Sequence, residues 1–144
     1  MKEEVFDLLV DFHLGLIRAK PKQENVIKAW RKLTEGEEIG SVRTDRLENA
    51  LLARMSDLMV FHNGDWNKKV EVYNKNYKAK HNPNVFDALK LVLHSNEKIG
   101  TATATCGVNF QSVKVLKPRF ERYMNFSVRL DDLLNGKDKL KQQD

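Results

Sequence analysis

Cysteine occurs once in these 144 residues, at Cys106, so no disulfide can close within the chain, and that usage favours a reducing compartment such as the cytoplasm. No apolar run approaches the roughly 18 residues that a membrane span requires, so no membrane association is expected. The opening MKEEVFDLL carries glutamates inside a helix-spaced segment and does not read as a signal peptide. The glycines form no phosphate-binding loop, and no GxSxG elbow is present. The four histidines, His13, His62, His81 and His94, stand apart, and none forms the i, i+4 pair that would set two imidazoles on one helix face. Glu37–Glu38 and Asp131–Asp132 are adjacent pairs that read as solvated loops or helix ends, not as an acid/base couple. Cys106 stands among small residues and reads as a packing residue. The chain is therefore not expected to be an enzyme; no catalytic residue, metal or other cofactor is assigned.

What is present is helical. Hydrophobic residues make up 41% and charged residues 31%, a balance that suits a soluble helical protein, and the length suits about one domain. The net charge of +5 and a pI near 9.3 permit nucleic-acid binding without requiring it. Over residues 3 to 19, Val5, Leu9, Phe12 and Leu16 recur at helical spacing, with Phe6, Val10 and Ile17 beside them. So broad an apolar face must be buried, in the chain's own core or in a dimer. Pro21 ends this helix or opens the next, which repeats the pattern at Val26, Ala29, Trp30 and Leu33. Gly36 and Gly40 break the chain. A further helix, capped at Thr44 or Asp45, runs through Leu47, Leu51, Met55 and Leu58 to Asn63–Gly64.

Residues 65 to 80 permit two readings. Val70 and Val72 alternate as in a strand, yet Trp66, Val70, Tyr73 and Tyr77 keep the helical period, and helix capped by Asp65 is favoured. Its polar positions are rich in lysine: Lys68, Lys69, Lys75, Lys78 and Lys80. Such a face is either simply solvated or a second surface for phosphates. Asn84 is available to cap the next helix, which carries Val85, Ala88, Leu89, Val92 and Leu93.

The stretch from Asn84 to Phe126 orders an apolar helix, a small-residue segment, a glycine and a second helix with basic and amide positions, as a helix-turn-helix requires. Gly107 supplies the turn, Ala102, Ala104 and Cys106 the small side chains, and Val108, Val113 and Leu116 the anchors. Asn109, Gln111 and Ser112 are the expected base-reading residues, and Lys114, Lys117, Arg119 and Arg122 the expected phosphate contacts, with Lys68, Lys69, Lys75 and Lys78 as further backbone contacts. A plain helical hairpin ending in a basic helix is the alternative. Pro118 predicts that the second helix stops at Lys117 or kinks, with a new turn opening at the proline. Ser127 is expected to cap a separate short helix closed by Gly136, followed by a polar tail.

From NVFDALKLVLHSN through CGVNFQSVKVLKPRF, with Val108–Asn109, Leu116 and Arg119 as the closest matches, the chain resembles the PapB-like regulators of bacterial fimbrial adhesin operons. GSVRTDRLENALLARMSDL is similar to that family's earlier serine-led, leucine-rich helix. The resemblance spans about half of the chain and implies a helix-turn-helix transcription regulator. A broader kinship to plasmid or phage regulators stands beside it.

The expected fold is all-α, a bundle of about six or seven helices with a C-terminal helix-turn-helix. Residues 1–64 form an N-terminal region for oligomerisation, 65–83 a lysine-rich helix or connector, 84–136 the DNA-binding region and 137–144 a tail. The expected partners are double-stranded DNA and further copies of the chain. Two other functions remain open: a phage or plasmid interaction protein using the apolar face of residues 5 to 17, and an RNA-binding protein stacking bases on Trp66, Tyr73 and Tyr77.

Overall fold

In the computed structural model, which describes residues 3–17, 24–28, 44–76 and 81–136, all regular structure is helical and no strand occurs among the described residues. Among the described residues the bounded helices are, in order, α1 (Glu3–Ile17), α2 (Thr44–Asn63), α3 (Trp66–Lys75), α4 (Pro83–His94), α5 (Ile99–Cys106) and α6 (Phe110–Asn135). Residues 24–28 are helical as well. The all-α expectation holds for the described residues, and in the ambiguous stretch after Asp65 the outcome over Trp66–Lys75 is helix. Pro21, the segment with Trp30, Leu33, Gly36 and Gly40, the residues Tyr77, Lys78 and Lys80, and the 137–144 tail lie outside the described residues.

The chain divides into two compact units, residues 1–59 with 129–144, and residues 60–128. In the first unit α1 begins with Glu3 and Glu4, whose charges suit the positive end of the helix dipole. Much of its apolar face is buried: Val5, Phe6, Leu8, Leu9, Val10 and Phe12 are all withdrawn from solvent, while Leu16 is half-buried. Ile27, Leu51, Leu58 and Leu130 are buried in the same unit. His13 is buried too, and Arg54 Nε donates to its Nδ1 at 3.3 Å. A ring nitrogen that accepts is unprotonated, so this His13 is the neutral form. Burial, and then the neighbouring guanidinium, hold it below its usual basicity.

The second unit is built on aromatic packing. Phe120 of α6 lies 5.1 Å from Trp66, 5.3 Å from Tyr73, 5.5 Å from Phe61 and 6.3 Å from Phe86, between ring centroids. Those four rings belong to α3, α2 and α4, so one side chain on α6 ties three other helices together. The tilted and edge-on geometries are those that ring quadrupoles favour. Tyr123, one turn on, lies 4.5 Å from Phe61, and its hydroxyl accepts from Asn76 Nδ2 at 2.9 Å, so the buried oxygen is satisfied.

Local signals set most helix ends. Asp65 caps α3, its carboxylate accepting from Lys68 N at 2.9 Å. At α4 the cap is Asn82 and not Asn84: Pro83 takes the first helical position, where its missing N–H costs nothing, and Asn82 Oδ1 accepts from Asn84 N at 2.9 Å. Gly136 stands at φ 68, as a residue closing a helix in the left-handed region does.

Pro118 does not end α6. The helix runs from Phe110 to Asn135 with the proline inside it, and Ser127 is an interior residue whose Oγ donates to Met124 O at 2.7 Å. The expected stop at Lys117 and the separate Ser127-capped helix are thus corrected. The reason is the apolar face. Val113, Leu116, Phe120, Tyr123 and Leu130 are all buried and continue one helical stripe past the proline. An interior proline costs roughly 3 kcal/mol, whereas burying each such side chain contributes roughly 1.5–3 kcal/mol.

Candidate nucleic-acid interface

The segment on which the site residues stand lies within the second unit. Helix α5 has eight residues and packs on α4. Ala102 and Thr103 are buried while Ala104 is exposed, so one edge of this short helix faces inwards. Gly107 ends it at φ 65, and the amides of Gly107 and Val108 both converge on Thr103 O, the latter at 3.1 Å. A 6→1 bond of this kind closes a Schellman turn, and its left-handed residue favours glycine. Two residues later Asn109 Oδ1 accepts from Gln111 N at 2.7 Å, which starts α6. Three residues, Gly107 to Asn109, thus separate the two helices.

Around α6 each residue turns by about 100°. Val113, Leu116, Phe120 and Tyr123 mark the buried side. Opposite them run Gln111, Val115, Pro118 and Arg122, at spacings that keep one stripe along the helix, and all four are exposed. Lys114 is exposed beside this stripe and has no ion-pair partner among the described residues. The Arg122 guanidinium lies 5.6 Å from the centroid of the Phe126 ring.

The other expected site residues stand elsewhere. Asn109 is exposed in the turn, with its carbonyl oxygen committed to the helix start. Ser112 is half-buried. Lys117 is half-buried and paired with Glu121 at 2.9 Å, so its charge is partly neutralised. Arg119 is exposed but points about 160° away from Lys117 around the axis. Its charge, after burial, holds His81 below its usual basicity. Gln111, Lys114 and Arg122 are therefore brought together, with Lys117 and Arg119 on opposite flanks.

The lysines of α3 also divide. Lys68 is exposed and pairs with Glu71 at 3.4 Å. Lys75 is exposed. Lys69 turns the other way: its ammonium donates to Phe61 O at 2.7 Å, Gly64 O at 2.8 Å and His62 O at 3.1 Å. It also lies 5.2 Å from the centroid of the Phe61 ring. These carbonyls belong to the last turn of α2 and the corner after it, where a cation suits the helix dipole. Burial lowers the Lys69 pKa, and Asp65 opposes that shift. The position this lysine holds is a helix cap, not an outward-facing charge.

Two exposed apolar residues in the first turns of α6 escaped a reading that weighed only polar positions: Phe110 and Val115, 44% and 43% exposed. The three- and four-residue steps of the Val113–Leu116–Phe120 core are the signal that places Val115 outside it.

In α1, Val5, Phe6, Leu8, Leu9, Val10 and Phe12 are buried, and in α3 Trp66 and Tyr73 pack their rings against Phe120. Among the described residues no helix is long and apolar enough to cross a membrane, and no group of three or more His, Cys, Asp or Glu stands where it would hold a metal. Comparison with known proteins finds no family model that matches the chain, no similar curated protein and no similar solved structure.

Proposed function

We propose that the chain is a sequence-specific regulator that binds duplex DNA through a helix-turn-helix formed by α5, the Gly107–Asn109 turn and α6. The observation that carries this reading is the exposed stripe Gln111–Val115–Arg122, with Lys114 beside it, on the helix that follows a tight left-handed glycine turn. A helix entering the major groove needs base-reading groups in its first turns and cations along its flanks. Lys114, Arg119 and Arg122 supply the phosphate contacts. Lys117, shared with Glu121, adds less. Gln111 reads bases, and Asn109 serves mainly to start the helix.

On this reading the protein acts as a dimer or higher oligomer, because one recognition helix reads only a half-site. The similarity to PapB-like regulators belongs to the same proposal and adds control of a bacterial operon to it. Gel shifts at two salt concentrations test it. Lys114→Ala combined with Arg122→Ala is expected to weaken binding to all duplexes and to reduce the salt slope by about 2, roughly 0.9 for each phosphate left without its cation. Unchanged affinity and slope would reject the assignment, as would a wild-type protein that shifts no duplex.

A further inference from the structure

We infer that Gln111 and Val115 together read an A·T-containing step in the major groove, Gln111 through adenine and Val115 through the methyl group of a nearby thymine; the inference rests on the DNA-binding reading above. Gln111 and Val115 are four residues apart on α6, so they stand one turn apart on the same face. Both are exposed, and the buried side of the helix lies opposite. Val115 is 43% exposed, with Gln111 one turn before it and Pro118 and then Arg122 after it on the same stripe.

In the major groove a branched apolar side chain has one specific partner, the thymine C5 methyl group, whereas a glutamine amide matches adenine N6 and N7. Four residues of helix rise about 6 Å, and successive base pairs rise about 3.4 Å. The adenine and the thymine therefore lie within about two base pairs of each other. Lys114, one residue before Val115 and on its flank, is placed to meet the adjoining phosphate.

The test uses the full chain and two steps. Selection from a random duplex pool first yields the bound sites, which are expected to carry an adenine and a thymine within about two base pairs. Each thymine in the selected site is then replaced by deoxyuridine, which removes only the methyl group. Wild-type affinity is expected to fall about fourfold at one thymine, the cost of one buried methyl-sized group. Val115→Ala is expected to show no such penalty at that position. Gln111→Ala is expected to lose about tenfold of the preference for adenine at its own position. Sequence-selective binding that ignores deoxyuridine at every thymine, or a Val115→Ala variant that keeps the penalty, would overturn this inference and leave the DNA-binding reading standing. Failure to bind any duplex would instead overturn that reading.

Discussion

Replacing Lys69 by methionine should destabilise the protein while leaving its affinity for DNA intact. The side chain reaches back from the first turns of α3 to three carbonyl oxygens at 2.7–3.1 Å, at the end of α2 and the corner behind it. Methionine keeps the apolar stem but removes every donor. A hydrogen bond to a charged group is worth about 1.5–3 kcal/mol net. The three bonds share one ammonium and do not add. The cation also suits the C-terminal end of α2, an effect of about 0.3–1 kcal/mol. Desolvation of the ammonium, which lowers its pKa, offsets part of the gain. We expect a net loss of about 2 kcal/mol, or about 6 °C in Tm for a chain of 144 residues. Thermal and urea melts followed by circular dichroism measure it.

Lys68→Met is the control, because Lys68 is exposed and holds only an exposed partner, Glu71; it should cost less than about 0.5 kcal/mol. A Lys69→Met variant as stable as that control would refute the capping role. The salt slope of DNA binding separates the two roles of a lysine on this helix. If Lys69→Met lowers the slope by about 1, its ammonium meets a phosphate and the reasoning fails.

Pro118→Ala should raise stability by about 1–3 kcal/mol, since it restores an amide donor and relieves a steric clash inside α6. A melt showing no gain would mean that the surrounding structure has already adapted to the proline. Acidification from pH 7.5 to 5.5 should lower Tm in part through His13, whose pKa in the fold is below its ordinary value of 6.5. Its contribution is complete above 6.5, and is lost as the pH falls below that value and the unfolded chain takes up the proton first. His13→Gln, which can still accept from Arg54, should show a shallower fall, and an identical fall would exclude His13 as a source.

The sequence by itself determined the helices and several of their ends. Val5, Leu9 and Phe12 in α1, and Leu51 and Leu58 in α2, follow a period set by the α-helix itself, and their burial matches it. Asp65, Gly107 and Gly136 mark helix ends because capping and left-handed turns depend on a few adjacent atoms. Asn82 was missed for Asn84 because the two compete over a separation of two residues, and the proline between them decides which can cap.

Only the tertiary structure decided whether α6 survives Pro118. The local rule sets one missing backbone bond against propensity, while the packed chain sets it against the burial of Val113, Leu116, Phe120, Tyr123 and Leu130. That continuity also decides which polar residues share a face. Once the helix passes the proline, Gln111, Val115 and Arg122 fall on one stripe, and Lys117 and Arg119 on opposite flanks. Lys69 carries the same lesson. Its neighbours in sequence mark it as one more charge on a basic helix, but the carbonyls it meets belong to the preceding helix end. Which charges face outwards therefore depends on how α3 folds back on α2, and no local pattern of residues encodes that angle.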